Sequence, residues 1–593
     1  MLTFFVSILN RSYVFKTRRM RRFLLLFSTL LTIPVLAQQQ ELPATMASGE
    51  PALMQDYLNN VQPQGITTPP ASPVRTAAEW EEIQAITITW TSYQSVLRQI
   101  ILATQQVTQV YIICSDSNTV KNNLNANSVP LTNVHFIVTG YNSVWIRDYG
   151  QNTCYTNDVD SLILVDWIYN RPRPLDDVVP TAVANTFNVP LYETTQAPND
   201  VVHTGGNWMS DGLGTAFSSE LVLDENPNHT AAEIDSIHAH FMGINRYVKM
   251  ETLPYDGIHH IDMHIKLLDE QTLLVGQYPN GVADGPQIEA NLQYVLSNFM
   301  TPNGTPYRVI RIPMPPEQFS GDYPDQGGNY LTYTNATFVN TTIIVPQYYQ
   351  QYDTTALRIW REACPGYNVV GINSNSTIGA SGSLHCITHC VGTYDPLFIS
   401  HFGLPNTTNT TTPYQVDARI QHRSGIASAT LYWTTDTLQP YQPVAMTLTN
   451  ATLNTWTGYI PAQPAGTHVY YYISASSVSG KTQVRPMPAP AAYFPFEVTG
   501  PLSVNEAAEP VFTHAYPNPS HGLTCVPLSM PVQDEGRMVL VDMTGREVMV
   551  VHQGTFIQGE KNYFLNTETL EAGAYQLVLT TNNYRMAQPL MVR

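Results

Sequence analysis

A cysteine closes a run of small residues, Gly379-Ala380-Ser381-Gly382-Ser383-Leu384-His385-Cys386, and is well placed to act as a nucleophile. Small residues let backbone approach a ligand closely. A thiolate attacks carbon electrophiles once nearby positive charge lowers its pKa. The same residues also allow a buried inert cysteine, or a metal site with His385, His389 and Cys390. A second cluster, His259-His260-Ile261-Asp262-Met263-His264, opens an apolar hairpin that turns at Asp269-Glu270 and returns through Thr272-Leu273-Leu274-Val275-Gly276. Strand side chains alternate, which predicts His260, Asp262 and His264 on one face. Three polar groups in such a row need partners or a function, and zinc ligation is one alternative. A third cluster, Val144-Trp145-Ile146-Arg147-Asp148-Tyr149-Gly150, follows a strand, where active-site loops gather. Read plainly, it is an Arg147–Asp148 ion pair beside a packed tryptophan. The fourth, His203-Thr204-Gly205-Gly206-Asn207-Trp208, carries a glycine pair that would also serve as a simple turn.

These clusters fall within roughly 76–404, where apolar strands alternate with helical stretches. Ala85-Ile86-Thr87-Ile88-Thr89-Trp90, Val110-Tyr111-Ile112-Ile113-Cys114 and Val134-His135-Phe136-Ile137-Val138 read as strands, and residues 95–104 as a helix. Such alternation predicts an α/β region. Residues 405–500, which open on the polar linker Asn406-Thr407-Thr408-Asn409-Thr410-Thr411-Thr412-Pro413, read as an immunoglobulin-like β-sandwich. Residues 501–593, with Met538-Val539-Leu540-Val541-Asp542 and a turn at Thr544-Gly545-Arg546, read as a small second sandwich.

Composition sets the class. Only 12% of the 593 residues are charged, against about 25% in soluble proteins generally. Tyrosine (34) and proline (43) are abundant, which suits a β-rich extracellular chain. A net charge of −18 disfavours nucleic acid; it suits a cationic substrate, or serves only to keep the chain in solution. Six cysteines in so long a chain form no disulfide framework, so a free thiol is expected. Arg18-Arg19-Met20-Arg21-Arg22 precedes an apolar run ending near Ala37, which predicts a signal peptide over 1–37. Residues 38–75 then form an N-terminal segment or propeptide. No later stretch is apolar enough to span a bilayer.

Taken in order, the clusters resemble the agmatine deiminase and Porphyromonas-type peptidylarginine deiminase family, of the pentein fold. The family order is W-x-R-D, (E/H)-x-G-G-N, H-x-D, then a glycine-rich stretch ending in HC. This chain supplies Trp145/Arg147/Asp148, His203/Gly205/Gly206/Asn207, His260/Asp262 and Cys386. The resemblance implies a five-bladed ββαβ propeller, of which the only echo is Leu274-Val275-Gly276-Gln277-Tyr278 against Ile344-Val345-Pro346-Gln347-Tyr348. It implies that Asp148 and Asp262 hold a guanidinium, that Cys386 attacks its carbon, and that His260 moves protons, with Asn335 orienting the group. Trp145, His203, Gly205 and Gly206 would line the substrate site. Arg171 and Arg173, in Asn170-Arg171-Pro172-Arg173-Pro174, would clamp the α-carboxylate of a C-terminal arginine. Catalysis would then need no cofactor, with room left for a structural Ca²⁺ or Na⁺. Ala515-Tyr516-Pro517-Asn518-Pro519 and the strands after it resemble a type IX secretion sorting domain, which implies release or attachment at the cell surface. The implied partners are arginine-bearing peptides and the secretion machinery. Agmatine deimination, a metallohydrolase and a surface adhesin are the other readings.

Overall fold

The computed structural model describes residues 41–499 and 509–593. The leader expected at 1–37 lies outside the described residues. Among the described residues, no helix is long and apolar enough to cross a membrane.

Between Val74 and Gly392 the chain forms five small sheets with one recurring order. Two antiparallel strands are followed by a helix and then by a strand parallel to the second. Thus Asn152–Thr156 and Leu162–Tyr169 pair antiparallel, helix Val179–Phe187 follows, and Leu191–Thr194 returns parallel. Met209–Ser210, Thr215–Ser219, helix Ala231–Met242 and Arg246–Met250 repeat this. So do Ile265–Asp269, Thr272–Gln277, helix Asp284–Asn298 and Arg308–Pro313. Thr337–Val339, Thr342–Gln347, helix Gln350–Ala363 and Asn368–Asn373 do the same. In the remaining sheet, Ile83–Thr89 takes its antiparallel partner, His389–Gly392, from the far end of the region. Helix Gln94–Thr104 and the parallel strand Gln109–Cys114 complete that unit. The two segments whose sequences echo each other occupy the same place in their units, the second strand and the turn after it.

Local sequence explains the elements. Leu162–Tyr169 is buried at every position, as suits a continuous apolar strand covered on both faces. Helix Gln350–Ala363 buries Tyr352, Ala356, Ile359 and Trp360, one face at helical spacing. Helix Ala231–Met242 starts with a Thr230/Glu233 capping box and ends at Gly243 with φ +71°.

Beyond this region two β-layers face each other. One holds Phe398–Ser400, Tyr414–Gln421, Thr455–Ile460 and Thr447–Asn450. The other is built on Ile426–Thr434 and Thr467–Ser477. Alternate residues of Thr467–Ser477 point inward, and Val469, Tyr471 and Ile473 form the core with Val416, Leu431 and Phe496. The first strand of this sandwich begins at Phe398, before the linker that was expected to precede it. Buried Arg485 pairs with Glu270 at 2.6 Å and ties the sandwich to the α/β region. Residues 509–593 form two further sheets around Val526, Leu540, Leu577 and Leu590. The Asp542–Arg546 turn forms as expected, with Gly545 at φ +85° and Asp542 accepting from the backbone of Thr544 and Arg546.

Candidate active site

Turns from four parts of the α/β region carry the site. Asp148 lies on the single helical turn Ile146–Tyr149. Gly205–Asn207 and Ile261–Met263 are 3-10 turns. Cys386 follows the short helix Asn375–Ile378. The expectation of a strand through His260, Asp262 and His264 is corrected here, since the strand begins only at Ile265. A tight turn replaces the alternation. It sends Asp262 toward Cys386, with its Oδ2 3.9 Å from the sulfur, while neither ring nitrogen of His264 has a partner among the described residues.

Backbone fixes the Cys386 loop. Arg147 N–H donates to the Cys386 carbonyl at 3.0 Å, and Arg147 Nε donates to the His385 carbonyl at 3.3 Å. Arg147 therefore braces the loop rather than pairing with Asp148. Asn335 Oδ1 accepts the His385 N–H at 2.9 Å, and its Nδ2 donates to Cys386 Sγ at 3.4 Å. His260 Nδ1 stands 3.6 Å from Asp148 Oδ1.

The glycines are explained by close approach. A Cβ on Gly206 would meet His260 Nδ1 at 2.3 Å and Asp148 Oδ1 at 2.8 Å, and one on Gly205 would meet the Arg147 carbonyl oxygen at 2.0 Å. A Cβ on Gly382 would strike the Trp145 ring at 2.3 Å. Gly206→Ala must therefore displace the His260–Asp148 pair. The expected result is a loss of turnover of about 100-fold with the fold retained, because a displacement near 1 Å costs that much. Steady-state kinetics beside a circular-dichroism spectrum measure it.

Burial dominates the electrostatics. Cys386, His260 and Asp262 are 0% exposed and Asp148 is 1% exposed. Burial, and then the Asp262 charge, pushes Asp148 up to about 8, against the pull of Arg171 and Arg173. Burial and the two aspartates push the Cys386 thiol well up. Burial and the Arg171 charge push His260 well down, which leaves a neutral imidazole. Both Asp148 oxygens, Asp262 Oδ1 and both His260 ring nitrogens are buried without a hydrogen-bond partner among the described residues. Orphaned buried polar atoms are rare, and here five of them belong to three side chains around one cysteine.

The remaining expected site residues are placed as follows. Trp145 is fully buried against Gly382, and its Nε1 donates to the Leu42 carbonyl at 2.8 Å. His203 stacks on Trp167 with ring centroids 4.4 Å apart, and its ring nitrogens engage Tyr247 Oη and the Thr204 N–H. Arg173 already holds a carboxylate, that of Glu50, through Nε at 2.8 Å and Nη2 at 3.0 Å. Its Nη2 also donates to the carbonyls of Pro43 and Thr45. Arg171 Nε donates to the Ala44 carbonyl at 3.1 Å. Residues 42–50 thus run over both arginines and Trp145, and Ala44 N–H adds a bond to the Ala380 carbonyl.

Sequence reasoning missed Glu79, Lys266 and Glu50 and gave His385 only a metal-binding role. Nothing local marks Glu79 in Ala78-Glu79-Trp80-Glu81-Glu82, or Glu50 before a proline, because their partners lie far along the chain. Among the described residues, no three His, Cys, Asp or Glu side chains are grouped to hold a metal ion, and all six cysteines are free.

Residues 75–391 match the family model for Porphyromonas-type peptidyl-arginine deiminase, and residues 514–593 match a secretion system C-terminal sorting domain. A relative from Mycoplasma mycoides, provisionally named an agmatine deiminase, is 22% identical over 293 residues, covering 44% of this chain and 79% of its own. One from Streptococcus mutans, named in the same way, is 27% identical over 285 residues, covering 43% and 76%. A solved structure provisionally identified as an agmatine deiminase shares the fold at TM-score 0.50 and 20% identity, over 56% of this chain and all of that one.

Proposed function

Given a chain that belongs to the Porphyromonas-type peptidyl-arginine deiminase family and carries a type IX sorting domain, and so is secreted or held at the cell surface, we propose that it deiminates the arginine of peptides, C-terminal arginine above all, to citrulline and ammonia. The observation that carries this reading is the set of five orphaned polar atoms on Asp148, Asp262 and His260 beside Cys386. A guanidinium is planar, always charged, and presents N–H donors in a fixed fork that two carboxylates can accept.

The chemistry follows from the resting charges. Guanidinium between the two aspartates offsets the negative charge that opposes thiolate formation. The thiol proton passes to neutral His260 as Cys386 Sγ bonds to the guanidinium carbon. His260 gives that proton to the departing amine, the C–N bond breaks, and ammonia leaves a thiouronium on Cys386. His260 then takes a proton from water, the hydroxide adds to the same carbon, and the C–S bond breaks. Citrulline is released, the added hydroxyl gives its proton to the sulfur to restore the thiol, and the proton left on His260 passes to the ammonia, which departs as ammonium. Asn335, in contact with the sulfur, orients it. No step in this sequence calls on a cofactor.

Binding should depend on pH. Guanidinium needs Asp148 ionised, and the free carboxyl holds its proton up to about pH 8. Binding below that pH releases a proton, so affinity rises with pH and then levels. For the Cys386→Ala protein, calorimetry is expected to show Kd tightening up to about tenfold per pH unit between roughly pH 6 and 8, with about one proton released.

On this reading, the recurring ββαβ units form the five blades of a propeller around the site. The sandwich from Phe398 to Val498 is an immunoglobulin-like spacer, and residues 42–50, which cover Trp145, Arg171 and Arg173, are part of the substrate wall. One observation favours a second reading, agmatine deimination to N-carbamoylputrescine. Arg173 is already neutralised by Glu50, and buried Arg171 lies 3.9 Å from Glu225 with its Nε bonded to the Ala44 carbonyl, so both arginines already face an acid of this chain. Release of ureido product from matched peptides with C-terminal or internal arginine, and from agmatine, separates the two. Faster turnover of agmatine than of the C-terminal peptide would overturn the peptidyl reading.

A further inference from the structure

One oxygen of Asp262 is committed before any substrate arrives. His385 Nδ1 lies 2.7 Å from Asp262 Oδ2, and the other ring nitrogen, Nε2, lies 2.9 Å from Glu79 Oε2. Lys266 Nζ is 2.8 Å from that same Glu79 oxygen, and the second Glu79 oxygen accepts the Phe338 N–H at 3.0 Å. The His385 and Asp262 side chains are each 1% exposed, and so is that of Lys266. A row of four ionisable side chains therefore runs from the α/β core to the carboxylate beside Cys386.

The geometry constrains the protons. An ionised carboxylate only accepts hydrogen bonds. A ring held between two carboxylates therefore donates from both nitrogens, and that form is the imidazolium. Buried alone, an imidazolium is costly, and two flanking acids offset the cost. Burial by itself would raise the Glu79 carboxyl, yet Lys266 and His385 hold it well below the usual carboxylate range. The groups around the ring are Asp262 and Glu79, which favour its second proton, and Lys266 and Arg147, which oppose it. His260, His389 and the Cys386 thiol complete the surroundings.

We propose that Glu79 is a positioning residue for deimination: it keeps His385 a two-proton donor, and His385 pins Asp262 Oδ2 so that Oδ1 alone faces the guanidinium. The inference rests on the deiminase reading for its purpose, but not for its geometry. A neutral ring would be free to turn over, accept from Lys266 or Arg147, and leave Asp262 able to rotate toward the Cys386 sulfur. Glu79 removes that freedom from the far side of the ring.

The test uses the full chain and Glu79→Gln, which keeps the shape but removes one of the two carboxylates that hold the second ring proton. The ratio of variant to wild-type kcat/KM is expected to fall about tenfold as the pH rises from roughly 6 to 8.5. A ratio that stays flat with pH, whatever its size, overturns the proposal, since a merely structural defect would be present at every pH. If Glu79→Gln does not fold, nitrogen-15 NMR of the wild-type ring, assigned by its loss in His385→Gln, decides. Two protonated ring nitrogens at pH 8 are expected, and a neutral tautomer overturns the proposal. That arm needs no turnover. Wild-type protein releasing no ureido product from any guanidine would sink the deiminase reading and leave the ring's protonation to be decided separately.

Discussion

Cys386→Ala is expected to lower ureido product formation by roughly 10⁴-fold or more, since loss of a covalent nucleophile removes the reaction path itself. The expectation follows from where the sulfur is held. Its loop is braced by the Arg147 backbone and by Asn335, and it is wholly buried beside two acids. No other cysteine can take its place. Cys114, Cys154, Cys364 and Cys525 are buried elsewhere, and burial raises the thiol of Cys390 to about 12. The resting thiol of Cys386 is itself raised by burial and by Asp262 and Asp148, so its reactivity depends on a cation arriving between those acids. The variant should still bind that cation, and an unchanged unfolding midpoint is the control. Activity within tenfold of wild type would remove the thiol from the mechanism.

His260→Gln is the second large effect, about 10²- to 10⁴-fold in kcat, the usual range for a general acid–base group. His260 serves both halves of the reaction, giving a proton to the departing amine and taking one from water. Its ring is buried with neither nitrogen bonded among the described residues, 3.6 Å from Asp148, and the glycine at 206 leaves just enough room for it. Burial and the Arg171 charge keep it neutral, the form able to accept the thiol proton. Glutamine preserves the volume and a hydrogen-bonding end but cannot carry a proton. KM should therefore change far less than kcat, and stopped assays across a substrate series measure the split. A rise in KM with kcat unchanged would make His260 a binding group only.

The sequence carried the site in four separated clusters, and their order was more informative than any one of them. It could not show how the clusters were held. His-x-Asp-x-His has the period of a strand, yet the chain uses a 3-10 turn there, because Asp262 and His260 must converge rather than line a sheet face. Arg171 and Arg173 looked like a clamp awaiting a carboxylate, and the carboxylate found on Arg173 comes from Glu50, 123 residues upstream. Glu79 bonds His385 across 306 residues, which no local pattern encodes. The five ββαβ units share geometry rather than side chains. Only the second strands at Thr272–Gln277 and Thr342–Gln347 betrayed a repeat, since both carry a buried apolar run into a Gln-Tyr turn. Trp145 illustrates the opposite case. An aromatic next to a catalytic acid suggests stacking on substrate, but its ring fills the space left by Gly382 and its indole N–H is spent on Leu42.

The central claim is a transient bond between Cys386 and the guanidinium carbon. Rapid acid quench of the protein turning over a C-terminal arginine peptide, followed by mass spectrometry of the fragment that contains Cys386, tests it most directly. A mass gain equal to the substrate less ammonia is expected on Cys386 and on no other cysteine, and none in Cys386→Ala. Turnover with an unmodified Cys386 at every quench time would contradict it.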